Sequence, residues 1–157
     1  MTATQFLQQQ DQKFCDEAFT CMSTFPATAT TGTFADNFGS SSAQCQSDSA
    51  MYEMPAQVEA EITAGKIHYD ASAAAACVAG ITFGACADFW ANGPTEPAAC
   101  DTAMVGTVAD GGACVVDFDC SNVMSICGTA HTCVADTAAR RASFGALALP
   151  PGLRTAL

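Results

Sequence analysis

The sequence predicts a mainly α fold: a small helical domain cross-linked by disulfides, followed by a compact cysteine-rich knot with little regular structure. Three observations carry this reading. Ten cysteines in 157 residues is several times ordinary usage, and an even number permits complete pairing. Apolar residues recur at helical spacing in three segments before Cys100, and no segment alternates for more than a few residues. Finally, Cys114, Cys120, Cys127 and Cys133 crowd into one short stretch with too few apolar neighbours to build a core. The expected organisation is a helical domain over 1–105, a knot over 106–135 and a flexible tail over 136–157.

The first helix is expected from about Phe6 to Phe25, with Leu7, Phe14, Ala18, Cys21, Met22 and Phe25 on its apolar face. Gln8, Gln9, Gln10, Asp11, Lys13, Asp16 and Glu17 fill the other face. Cys15 and Cys21 lie six residues apart, about 600° of helical rotation, so they point apart and each needs a distant partner. Pro26 to Ser42 mixes Thr, Ser, Gly and Pro without a period and reads as a loop whose Phe34 and Phe38 tuck back onto the helices. Helical spacing then resumes through Cys45, Tyr52, Val58 and Ile62, with Met51 and Met54 beside them. Pro55 should break the helix near Met54, and Ala64-Gly65 should stop it.

Lys66 to Tyr69 reads as a short extended link, and Asp70 as the N-cap of an alanine-rich helix from Ala71 to about Phe83, ended by Gly84. Ala73, Ala74, Cys77, Val78 and Ile81 form its apolar face. A further helical turn from Cys86 to Trp90 stops at Asn92-Gly93-Pro94, and Phe89 with Trp90 is read as a core plug. A proline-rich link then leads through Cys100 to the Ala109-Asp110-Gly111-Gly112 turn that opens the knot.

Within the knot, the expected pairing is Cys114 with Cys127 and Cys120 with Cys133, because interleaving ties both loops into one unit. Zinc is the rival, but the spacing lacks paired C-x2-C units and His131 is the only nearby imidazole. Asp110, Asp117 and Asp119 offer three hard oxygens where calcium takes six or more, so they are read as solvated turn carboxylates.

The segments Ala64-Gly65-Lys66-Ile67-His68-Tyr69-Asp70, the alanine-rich helix carrying Cys77, and Gly106-Thr107-Val108-Ala109-Asp110-Gly111-Gly112-Ala113-Cys114 resemble the cysteine-rich predicted envelope lipoproteins of myxobacteria and their relatives. The stretch from Cys114 to Cys133 is similar in spacing to the small cysteine-rich repeat known as Dickkopf-like. The resemblance covers roughly Cys15 to Cys133. It implies an envelope location and a disulfide-rich fold, and no activity. The lipoprotein signal with its acylated cysteine is missing from this sequence, and the arginine-bearing tail departs from the family pattern.

All ten cysteines, Cys15, Cys21, Cys45, Cys77, Cys86, Cys100, Cys114, Cys120, Cys127 and Cys133, are therefore expected in disulfides, which places the chain outside a reducing cytosol, in extracellular space or a bacterial cell envelope. The first ten residues have no basic n-region, apolar h-region or cleavage site, so either an export segment precedes this sequence or the chain is not exported. Up to Asp136 only Lys13 and Lys66 stand against all 16 acids, a balance that disfavours nucleic acid and anionic membrane surfaces. No apolar run is long enough to span a bilayer.

Catalysis by cysteine needs a thiolate beside an imidazole, and only His68 and His131 are available. His131 sits among cysteines expected to be oxidised, and His68 between apolar residues where packing accounts for it. No G-x-S-x-G, H-E-x-x-H, phosphate-binding glycine loop or C-x-x-C occurs. The sequence thus reads as a non-enzymatic interaction or surface-presentation module with no cofactor or metal and a partner that is an unknown protein or envelope component. The alternative is a metal-binding or thiol redox protein that keeps part of its cysteine set reduced.

Overall fold

The computed structural model describes residues 1–28 and 31–136. Of these, about 53% are helical and 15% extended, so helices dominate but short strands carry key connections. The expected tail lies outside the described residues except for Asp136.

Helix α1 spans Ala3–Thr20 and starts on a reciprocal cap: Gln5 N–H donates to Thr2 Oγ1, and Thr2 N–H donates to Gln5 Oε1. Its buried face is wider than its apolar residues imply. It includes Gln10 and Asp11 beside Phe6, Leu7, Phe14, Cys15 and Ala18, which corrects the expectation that both polar residues face solvent. The helix stops five residues early, and a 3-10 turn, Met22–Thr24, leaves Met22 half exposed.

A short helix, α2 (Phe34–Phe38), stands where a loop was expected. Thr33 and Asp36 cap it reciprocally, and these hydrogen bonds hold the Asp36 carboxyl below its ordinary range. α2 delivers Phe38, 1% exposed, into an aromatic cluster with Phe14, Phe25, Phe34, Phe89 and Trp90. Trp90 is fixed there by its indole N–H, which donates to Thr24 Oγ1 at 3.1 Å.

Helices α3 (Ser42–Glu53) and α4 (Pro55–Thr63) are joined by Met54 alone, in the left-handed conformation at φ 51°. Pro55 at the first position of α4 explains the break, since it disfavours a helical Met54. Tyr52 and Met51 of α3 are exposed, contrary to expectation. The inward face of α3 is set by Cys45 and Glu53 instead.

The presumed link after α4 is a strand, β1 (Ile67–Tyr69), paired antiparallel with β2 (Met104–Gly106), with Ile67 opposite Gly106 and Tyr69 opposite Met104. Asp70 then caps α5 (Ala71–Gly80) by accepting from Ser72 N and Ala73 N, at 2.8 and 3.0 Å. α5 ends at Gly80, before Gly84, because the chain leaves the helix to form a bridge from Thr82 to Thr95. Helices α6 (Cys86–Asn92) and α7 (Cys100–Ala103) complete the body. Its main core gathers Phe6, Leu7, Val58, Ile67, Ala74, Val78, Ile81 and Met104. No helix is long and apolar enough to cross a membrane among the described residues.

The C-terminal segment contains a 3-10 turn, Asp117–Asp119, and a hairpin of β3 (Ser125–Cys127) with β4 (Cys133–Ala135). It is seated on the body along the extension of β2. Thr107 N–H donates to Lys66 O on one side, and on the other Val108 exchanges backbone hydrogen bonds with Asp119 O and Ser121 N. Val116, 2% exposed, leaves the cysteine-rich segment and packs in the main core of the body.

Candidate functional site

Five disulfides join Cys15 to Cys45, Cys21 to Cys86, Cys77 to Cys100, Cys114 to Cys127 and Cys120 to Cys133, and no cysteine is free. The first and third each tie two helices together, and the second ties the C-cap of α1 to the start of α6. The last two interleave, the arrangement expected because it ties both loops into one unit. Sulfurs of Cys114, Cys120 and Cys133 approach within 4.8 Å of one another, as do Glu17, Cys21 and Cys86, but in both groups every sulfur is in a disulfide and none is a thiolate ligand.

The three knot aspartates hold turns. Asp119 is fully buried, which corrects its reading as a solvated group, and its Oδ2 accepts from Val115 N at 2.7 Å. Asp117 accepts from Cys127 N at 2.9 Å, and Asp110 from the Ser125 hydroxyl at 2.6 Å. His68 is exposed on β1, opposite Val105. His131 sits in a knot turn at φ 54°, its N–H donating to Gly128 O and its carbonyl accepting from Cys114 N.

The arrangement that sequence reasoning missed lies between α1 and α3. These helices run antiparallel, since Cys15 bonds Cys45 while Asp16 accepts from the Ser42 hydroxyl at one end and Asp11 meets Ser49 and Glu53 toward the other. Asp11 is 2% exposed and Glu53 7%. Neither Asp11 Oδ1 nor Glu53 Oε2 has a hydrogen-bond donor among the described residues. Two ionised carboxylates would meet acceptor to acceptor, with a large desolvation cost and no cation to offset it. A proton on one of them converts the contact into an O–H···O bond.

Burial pushes the Asp11 carboxyl up to about 7, with hydrogen bonds from Glu53 and Ser49 opposing the rise. Burial, then the Asp11 charge, push Glu53 further, to about 9. The pair therefore titrates as a unit, with one carboxyl donating a shared proton to the other. A groove of about 430 Å³ opens beside Asp11, which stands in its wall with Gln5, Gln8, Gln9 and Gln12 of α1 and Gln46 and Ser47 of α3. The signal was present in the spacing: Asp11 is one turn before Cys15, and Glu53 is two turns after Cys45. It becomes readable only when those two cysteines are known to be partners.

Fold and site together define a small disulfide-rich domain, a construction that fits an oxidising, extracellular-type environment. No family model, curated protein or solved structure matches the chain.

Proposed function

We propose that this is a non-enzymatic secreted or cell-envelope protein that presents a disulfide-stabilised surface to a partner. The observation that carries the reading is the complete pairing of ten cysteines, which leaves no thiolate for a nucleophile or a metal ligand. The bridges are spread from Cys15 to Cys133, so they brace the whole surface and do not cluster at one reactive place. The acidic balance favours a partner that is neither a nucleic acid nor an anionic membrane surface. Location in a bacterial envelope follows the sequence resemblance to predicted lipoproteins.

The test has two parts. Thiol titration of the exported protein under denaturing conditions should find no free cysteine; recovery of four thiols would favour the metal or redox alternative. Crosslinking in the envelope of the source organism should then capture a defined protein or envelope component.

A further inference from the structure

The α1–α3 contact has three mechanically distinct parts. At one end the Cys15–Cys45 disulfide fixes the helices covalently. At the other the buried carboxyls of Asp11 and Glu53 meet, with Ser49 beside Asp11 and no donor among the described residues for Asp11 Oδ1 or Glu53 Oε2. Immediately after Glu53, Met54 alone links α3 to α4, in a left-handed conformation that a β-carbon disfavours.

We propose that Asp11 and Glu53 form a proton-held latch: a shared proton holds the C-terminal end of α3 against α1, and its loss lets α3 pivot about Met54 and widen the glutamine-lined groove while the disulfide keeps the other end fixed. The step is a simple deprotonation. The shared carboxyl O–H gives its proton to water or hydroxide, and two carboxylates remain in a site that water must then enter.

No charged neighbour substitutes for the proton. On α1, Lys13 is two residues from Asp11, about 200° around the helix, Asp16 accepts from Ser42, and Glu17 lies 3.4 Å from Cys21 Sγ. On α3, Asp48 is five residues from Glu53, about 140° around the axis. On α4, Glu59 accepts from Thr4 N and Glu61 pairs with Lys66. On α2, Asp36 is engaged with Thr33, and α5 carries no charged side chain. The setting of each acid is thus burial and the other acid, with the neutral Ser49 hydroxyl bonded to Asp11, so the latch responds to pH through these two carboxyls.

Millisecond-pulse amide exchange on the intact, oxidised protein tests this from pH 6 to 10, after correction for the intrinsic base-catalysed rate. Protection of residues 49–54 is expected to fall by up to about tenfold per pH unit once the pair loses its proton, while residues 74–78 of α5 stay protected. Glu53→Gln keeps an N–H donor for the Asp11 carboxylate and should abolish the fall. Identical behaviour of variant and native protein, an unchanged native protein, or an even loss across all helices would each overturn the latch. Should the variant not fold, carboxyl carbon resonances of the native protein decide: one of the two acids titrating above pH 7 supports it, and both titrating below pH 5 overturns it.

Discussion

Gly106 of β2 lies against the backbone of Cys120: a β-carbon at Gly106 would stand 2.3 Å from the Cys120 carbonyl oxygen and 2.5 Å from that of Asp119. The obstructing atoms are backbone, so they cannot swing aside. Gly106→Ala should therefore lift the cysteine-rich segment from the body and cost about 1–3 kcal/mol or more, as overpacking does. Urea unfolding checks the cost. Faster proteolysis between Val108 and Ala113 in the variant would locate it, whereas an unchanged midpoint would show that the two backbones separate freely.

Val116 tests the same seat from the other side. It is the buried residue that the cysteine-rich segment lends to the main core, so Val116→Ala should cost about 1–3 kcal/mol through the lost burial and the cavity left behind. By contrast, replacing Cys114 and Cys127 together by Ser should loosen the knot and leave the helical body folded. Far-ultraviolet dichroism that collapses in the double variant would contradict this.

Stability should fall as pH rises from about 4 to about 9. Asp11 and Glu53 have folded values near 7 and 9, raised from ordinary values of 3.8 and 4.5. Their protonated forms are thus favoured by folding, a contribution fully present below about pH 4. It is lost progressively as the unfolded chain ionises and the folded pair retains its protons, until pH passes 7 and then 9. The expected slope is up to about 1.4 kcal/mol per pH unit for each proton retained. Urea midpoints from pH 4 to 10 measure it. Glu53→Gln should flatten the alkaline part, and a native midpoint that rises from pH 6 to 9 would refute the assignment.

Phe38 is the centre of the aromatic cluster and almost fully buried. Phe38→Ala should cost about 3–5 kcal/mol, far more than a loop residue would. Thermal unfolding reports the loss, and a change under 1 kcal/mol would mean that α2 folds onto the body only weakly.

These cases show which physical signals a sequence exposes. Local chemistry was legible: the Asp70 cap, the break before Pro55 and the turn at Gly111 each act within a few residues of themselves. The cap of α2 was equally local, since Thr33 precedes Asp36 by three residues, but the surrounding Thr, Gly and Ser masked a helix of only five residues. Non-local relationships were not legible. β1 and β2 pair across more than thirty residues and each is three residues long, too short for alternation to announce a strand. Asp11 was assigned to solvent because a carboxylate is rarely buried, a rule that fails when another acid shares its proton. Tyr52 was assigned inward because it is apolar, whereas the side chains that fix the rotation of α3 are a cystine and an acid.

The order of the bridges along the chain has a consequence for how a nicked molecule behaves. Cys15–Cys45, Cys21–Cys86 and Cys77–Cys100 overlap in sequence, so a single backbone cut anywhere from residue 15 to 100 leaves the pieces covalently joined. Cys114–Cys127 and Cys120–Cys133 overlap likewise from 114 to 133. No bridge crosses the interval between Cys100 and Cys114. A protease acting once on that interval therefore yields two chains linked by nothing covalent, which part on a non-reducing denaturing gel. In water the same two chains stay associated through non-covalent contacts alone, among them Val116 and Phe118 against the main core, so the interval is the one place within the bridged region where a single cut makes this protein a heterodimer.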